Sequence, residues 1–176
     1  IVDDGSTDAT PAILAEYAAK HPAIRVVRRP DRGARSVGPG VVDAFYFGLE
    51  QVDADRYPYL CKLDLDLELP PRYFELLIAR MEADPRLGTA SGKPWYPDAN
   101  GELVSEACGD EMSVGMTKLY KTRCFRQIGG FDESFFLYYE DVDFCRRSRD
   151  AGWTVSYEPT LRLTHFTPLH TRRVPP

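Results

Sequence analysis

Apolar and polar positions alternate without a break over Lys62-Leu63-Asp64-Leu65-Asp66-Leu67-Glu68-Leu69. Strict alternation predicts a strand whose successive side chains point to opposite faces. Leu63, Leu65, Leu67 and Leu69 then share the packed face, Asp64, Asp66 and Glu68 the other, and Pro70-Pro71 ends the strand. Carboxylates gathered on one face repel one another unless water, a cation or a basic partner compensates them. In open α/β sheets the ends of strands are also where ligands bind. A lone Asp-x-Asp is more often an ordinary polar strand end facing solvent, so this stretch gains meaning only in company.

Ahead of it, Ile1-Val2 reads as the tail of a strand and Asp3-Asp4-Gly5-Ser6-Thr7 as the loop after it. Thr10 as N-cap and Pro11 at the first helical position start a helix. Its apolar stripe is Ile13, Leu14, Tyr17 and Ala18. Ile24 to Val27 reads as a short strand, Pro30 to Gly40 as a loop rich in Arg and Gly, and the next helix turns Val41, Val42, Phe45 and Leu49 inward. Tyr59 to Asp64 reads as a central strand. Beyond Pro70-Pro71, Tyr73, Phe74, Leu77, Ile78 and Met81 recur at helical spacing. This βαβαβα order predicts an α/β fold with a mainly parallel central sheet flanked by helices on both faces.

The second half is patterned differently. Pro94 to Gly109 reads as an irregular excursion, Met112 to Tyr120 as a strand, and Thr122 to Ile128 as a short helix stopped by Gly129-Gly130. Glu140 to Ala151 predicts a helix with Gly152 at C′. Trp153 to Tyr157 and Leu161 to Phe166 close the chain as two short strands. No internal repeat or domain boundary shows, so residues 1–176 are expected to form a single domain. Ile1-Val2 enters a turn with no strand before it and no initiator Met, and the chain ends on Pro175-Pro176. Both ends suggest a fragment of a longer protein that lacks its first strand.

Composition narrows the partners. A chain of 176 residues can bury one sizeable core. The net charge of -5 argues against a nucleic-acid or anionic-membrane partner. A local basic run, Arg25, Arg28, Arg29, Arg32 and Arg35, suits phosphates; Arg146, Arg147 and Arg149 read as a solvated helix face. Cys61, Cys108, Cys124 and Cys145 are widely spaced with no Cys-x-x-Cys pair, which fits free thiols in a reducing compartment. The given residues contain neither a signal peptide nor an apolar run of membrane-spanning length. The expectation is a cytoplasmic protein, with attachment to the cytoplasmic face of a membrane left to segments outside these residues.

Acidic groups recur at three predicted element ends: Asp3-Asp4, Asp64 with Asp66, and Glu140-Asp141 with Asp143. A parallel sheet would gather Asp4 and Asp66 on one side. Carboxylate oxygens suit hard divalent cations such as Mg²⁺ or Mn²⁺, which in turn bridge phosphates.

Ile1-Val2-Asp3-Asp4-Gly5-Ser6-Thr7-Asp8, Leu63-Asp64-Leu65-Asp66, Gly129-Gly130-Phe131-Asp132-Glu133 and Tyr139-Glu140-Asp141-Val142-Asp143-Phe144 occur in this order. Together they resemble the family 2 glycosyltransferases with the GT-A fold, over residues 1 to about 166. The resemblance implies a nucleotide-binding half at 1–91 and an acceptor-binding half at 92–176. It implies that Asp3, Asp4 and Ser6 contact the base and ribose of a sugar nucleotide, although the same residues also suit an Asx turn that caps the next helix. Asp64 is implied near the ribose and Asp66 on the metal; the family's middle residue is usually small, so Leu65 departs from it and should pack into the sheet. Asp141, with Glu140 beside it, is implied as the general base of an inverting transfer, and Asp143 is its weaker rival. A late His, His165 ahead of His170, reaches the metal or diphosphate in some relatives. Arg35, or Arg32, occupies the loop where a nucleotide-contacting basic residue is common. Phe135 to Tyr139, Trp95 and Trp153 suit either core packing or a platform for an acceptor sugar.

The expected function is transfer of a sugar, with inversion, from a UDP-, dTDP- or GDP-linked donor to a glycan or lipid-linked glycan acceptor in polysaccharide or glycoconjugate synthesis. Rhamnosyl transfer is one candidate among several. A nucleotidyltransferase that forms sugar nucleotides, and a non-catalytic nucleotide-sugar or glycan-binding module, are the competing readings. Pyrophosphate release from NTP and sugar phosphate would mark the first, and binding without turnover the second.

Overall fold

The computed structural model describes residues 1–31, 33, 39–105, 113–132 and 139–166. The chain divides into two compact units, one carried by Ile1–Arg56 and the other by Tyr57–Phe131 and the chain from Tyr139 onward.

In the first unit, β1 (Val2–Asp3) pairs in parallel with β2 (Val27–Arg28), with α1 (Thr10–Lys20) between them in sequence and α2 (Pro39–Leu49) after them. Thr10 is the first helical residue rather than the cap. Its N–H is taken by Asp8 Oδ1 at 2.9 Å, so the short acidic side chain two residues back does the capping. The expected apolar stripe of α1 is not buried: Ile13 is 51% and Tyr17 53% exposed. Tyr17 stacks on His21 instead, ring centroids 6.1 Å apart. In α2, Val42 is buried and Val41 faces outward.

The second unit holds a six-stranded sheet in the order β3-β7-β5-β8-β4, with β6 paired to β5 off that path. Its strands are β3 (Tyr59–Cys61), β4 (Leu67–Glu68), β5 (Leu87–Pro97), β6 (Leu103–Ser105), β7 (Leu119–Lys121) and β8 (Thr154–His165). Its helices are α3 (Tyr73–Ala83), α4 (Thr122–Ile128) and α5 (Glu140–Asp150). Among the described residues of this unit only β5 and β8 run parallel; the other pairings are antiparallel. The sheet is therefore mixed and curled, which corrects the expectation of a mainly parallel one. Parallel neighbours need a long crossover, and β6 instead returns on β5 through a tight turn in which Asp98 Oδ1 accepts the N–H groups of Asn100 and Glu102.

Four further expectations fail for the same reason: strand-like residues do not name their partner. β3 stands at one end of the strand order, not at its centre. The alternating stretch 62–69 is not one strand, because β3 and β4 sit at opposite ends of the order and Lys62–Asp66 is the link between them. Leu65 is accordingly 71% exposed and Leu63 41%, while Lys62 is buried. The supposed excursion from Pro94 is the end of β5 with β6, and the two closing strands are one, β8, with residues 159–161 out of register against β5.

Tyr73, Leu77 and Met81 of α3 pack on Leu87, Ala90, Leu119 and Leu163 to form the core. The Tyr73 hydroxyl donates to Thr117 Oγ1 at 2.8 Å and accepts the Gly92 N–H at 2.7 Å. Burial pushes that phenol up to about 12. A second cluster of rings, Tyr120, Phe125, Phe131 and Phe144, joins β7, α4 and α5.

Candidate functional site

Within the second unit, a strap of chain from Ser113 to Lys118 ties two of the acidic groups together. It is neither the expected strand over 112–120 nor a loose loop: Gly115–Thr117 makes a single 3-10 turn before β7 begins. On one side the Met116 carbonyl accepts the Asp64 N–H at 2.8 Å, and the Lys118 carbonyl accepts the Lys62 N–H at 3.3 Å. On the other side the Gly115 N–H donates to Asp141 Oδ2 at 2.9 Å. Consecutive strap residues thus hold Asp64 and Asp141, which lie far apart in sequence. The strap is anchored by buried hydroxyls, with Val114 N–H on Ser91 Oγ at 2.7 Å and Ser113 Oγ at 3.2 Å from Thr89 Oγ1.

Asp141 opens α5 with Glu140 and Asp143 in the same first turn. A helix N-terminus favours negative charge through its unpaired N–H groups. Asp141 Oδ1 also accepts the Val142 N–H at 2.9 Å, so the carboxylate is held at both oxygens. Asp143 is differently placed. Its Oδ2 accepts Arg147 Nε at 2.7 Å, and that guanidinium also donates to the carbonyls of Ile128 and Gly130 at 2.8 and 2.9 Å. Asp143 is engaged in bracing the Gly129-Gly130 turn. Glu140 is half-buried beside Asp141.

Asp66 is fixed by the end of β8. The Phe166 N–H donates to its carbonyl at 2.9 Å, and His165 Nε2 lies 3.1 Å from its Oδ2. The His165 ring is buried, while the Asp66 side chain is 40% exposed. An exposed carboxylate beside an imidazole nitrogen is a donor pair that would suit Mn²⁺, with the carboxylate alone suiting Mg²⁺. Among the described residues no group of three or more His, Cys, Asp or Glu gathers around one point. That still fits these ions, which keep several waters and take the rest of their shell from substrate phosphates. Asp64 pairs with the buried Lys62, Oδ1 to Nζ 3.1 Å. Leu65 between the two Asp points outward, against the expectation that it packs.

In the first unit, Asp3 is buried and its Oδ1 accepts the Ser6 N–H at 2.9 Å. The Ser6 hydrogen bonds hold the carboxyl below its ordinary 3.8, burial opposes them, and the Arg28 guanidinium 3.4 Å away adds to them. This bond closes the turn from Asp3 to Ser6 and does not cap α1 as the Asx-turn reading expected, since the Thr10 N–H goes to Asp8. Asp4 is more open, 3.5 Å from Arg29. Gly5 has φ +86°, and a Cβ there would meet Asp31 Cα at 2.5 Å, so only glycine passes this turn. Arg35, Arg32, His170, Cys108 and residues 133–138 lie outside the described residues.

Sequence reading missed Gly115, Met116 and Lys118. Nothing in Gly-Met-Thr-Lys announces a strap, because its bonds to Lys62 and Asp64 are made by backbone.

The sequence model of Glycosyl transferase family 2 matches residues 1–144. The chain belongs to this family. Among curated relatives, an N-acetylglucosaminyl-diphospho-decaprenol L-rhamnosyltransferase of Mycobacterium tuberculosis is 41% identical over 61 residues, 35% of this chain and 20% of that one. Rhamnosyltransferase WbbL of Escherichia coli is 34% identical over 53 residues, 30% of this chain and 20% of that one. Chondroitin synthase of Escherichia coli is 28% identical over 147 residues, 76% of this chain and 20% of its own. The matched stretches are thus about a fifth of each relative's length. In fold the chain is similar to a mannosyltransferase of Pyrobaculum calidifontis solved with GDP-Man and Mn²⁺, with TM-score 0.68 and 18% identity over 96% of this chain and 47% of that one. It is also similar to GalNAc-T7 solved with UDP, GalNAc and Mn²⁺, at 0.71 and 15% over 96% and 37%. The family 2 chain therefore has the GT-A fold. No helix among its described residues is long and apolar enough to cross a membrane.

Proposed function

We propose that these residues are the catalytic part of an inverting glycosyltransferase that moves a sugar from a nucleotide-diphosphate donor to a hydroxyl of a glycan or lipid-linked glycan. The observation that carries this reading is the strap, which grips Asp64 through Met116 and Asp141 through Gly115. The main chain of a donor-side residue and the carboxylate of a candidate base are thereby held by one piece of backbone.

In this reading Asp141 takes the proton from the acceptor hydroxyl as its oxygen bonds to the anomeric carbon and the bond to the diphosphate breaks. Both Asp141 oxygens already accept one N–H, which fixes the carboxylate's orientation and leaves each a second lone pair. Glu140 is the second carboxylate available to acceptor hydroxyls, whereas Asp143 is committed to Arg147. Asp66 and His165 would hold Mg²⁺ or Mn²⁺, and Asp64 would face the ribose. A bound divalent ion would supply neutralisation of charge on the departing diphosphate. Asp3, Asp4 and Ser6 serve the nucleotide, Asp3 by shaping the turn that Asp4 and Ser6 present. Arg35 is assigned to the nucleotide by resemblance alone.

Two of the relatives are named rhamnosyltransferases, and one of those names carries a lipid diphosphate. dTDP-rhamnose is therefore the first donor to try, followed by GDP-mannose and UDP-N-acetylgalactosamine. The test is Asp141→Asn in the full-length protein. Loss of a general base should slow turnover by about 10² to 10⁴ while Mn²⁺-dependent nucleotide binding persists. Turnover at the wild-type rate would remove Asp141 from the role.

A further inference from the structure

Lys118 is wholly buried in the second unit, 0% exposed, and nothing in the transfer described above uses it. Its Nζ lies 3.0 Å from the Asp141 carbonyl, 3.2 Å from Cys145 Sγ and 5.9 Å from the centre of the Tyr120 ring. Among the described residues no carboxylate pairs with it. An amine taken out of water without a counter-ion weakens a fold. Methionine has nearly the same length and would fill the space without that penalty, so packing does not account for a lysine here.

What the amine adds is a grip on Asp141. The Asp141 carbonyl belongs to the first turn of α5, where the helical bond from residue 145 is its other partner. Gly115 holds the carboxylate of the same residue at Oδ2. One anchored strap therefore takes Asp141 by main chain and side chain at once, and Cys145, one turn further along, rests against the same amine.

We propose that Lys118 is a positioning residue for sugar transfer, holding the first turn of α5 so that the Asp141 carboxylate meets the acceptor hydroxyl. This rests on the reading of Asp141 as the base. A residue held this way matters because small misplacements of a reacting group cost disproportionate rate.

The test is Lys118→Met in the full-length protein. Thermal unfolding, amide hydrogen exchange, and nucleoside diphosphate release from dTDP-rhamnose, GDP-mannose and UDP-N-acetylgalactosamine with Mn²⁺ are each measured. The unfolding temperature should stay level or rise, since a buried amine without a counter-ion is replaced by an apolar chain. Exchange at the amides of Gly115, Phe144 and Cys145 should quicken about tenfold or more. Turnover should fall about 10- to 10²-fold with donor KM unchanged. A lysine with only a structural role would instead lower the unfolding temperature and disturb KM and kcat together. Exchange needs no substrate, and either unchanged exchange or a wild-type rate overturns the proposal. Asp141→Asn, run in parallel, separates the two levels. If it is inactive while Lys118→Met is normal, the base stands and only the role of Lys118 falls; if it turns over normally, both fall.

Discussion

The Gly115 N–H points at the Asp141 carboxylate, 2.9 Å from Oδ2, and a side chain on Gly115 would press on that carboxylate. A Cβ there would stand 3.1 Å from both Asp141 Cβ and Oδ2 and 3.2 Å from Cγ. The carboxylate would have to give way by a few tenths of an ångström, and the candidate base is the group displaced. Gly115→Ala is expected to lower turnover about 10- to 10²-fold with nucleotide affinity retained. Steady-state kinetics beside calorimetry with UDP, GDP and dTDP would check it. Equal loss of affinity and turnover would mean that the strap matters for the fold rather than for aiming Asp141.

The pair formed by Asp66 and His165 makes a separate prediction. If they share a cation, Asp66→Ala should abolish the dependence of nucleotide binding on Mn²⁺. His165→Gln removes a proposed ligand and should weaken Mn²⁺ binding at least as much as losing a group that only orients one, about 10- to 100-fold or more. Titration of the protein with Mn²⁺ alone, then with UDP present, reads both. Unaltered Mn²⁺ dependence in Asp66→Ala would leave the pair as a plain hydrogen bond that closes β4 on β8.

What could be read from sequence follows the range of the forces involved. Helices α3, α4 and α5 are legible because their apolar spacing and stops are local: Tyr73, Leu77 and Met81 do form the buried face, and Gly152 does follow α5. The acidic motifs were legible as residues, but the bond that ties Asp143 to Arg147 needed coordinates. Strand pairing was not legible. The alternation at 62–69 is real, but Lys62 turns inward to Asp64 and the Met116 carbonyl takes the Asp64 N–H, so the backbone leaves strand geometry where the pattern is cleanest. The stripe on α1 misled in the same way, since Ile13 and Tyr17 share a helix face that stays exposed.

Asp3 gives a pH dependence whose sign can be worked out. Ser6, with help from Arg28, holds the Asp3 carboxyl below its ordinary 3.8, so the folded loop prefers the ionised form. Its contribution to stability is complete above about pH 4 and is lost as the pH falls through the lower folded value. Asp3→Asn removes the charge but leaves an oxygen for the Ser6 N–H. The variant should be less stable than wild type at pH 7, and the gap should shrink as the pH drops below about 4. Urea midpoints at pH 7 and pH 3 measure it, and an identical gap at both would show that the charge of Asp3 does not stabilise the turn.

Leu65 and Leu77 separate the pattern from the packing. As part of an alternating strand, Leu65 should be a core residue whose truncation leaves a cavity. With 71% of it exposed, it has little apolar contact to lose. Leu65→Ala should shift stability by no more than about 0.5 kcal/mol. Leu77, fully buried between Tyr73 and Met81 on the packed face of α3, should cost about 2 to 5 kcal/mol when cut to Ala, because its neighbours collapse only partly into the space. Denaturant unfolding of the two variants decides between the readings. A large loss in Leu65→Ala would mean that the link from β3 to β4 packs its leucines after all, and the outward turn of Asp64-Leu65-Asp66 would have to be redrawn.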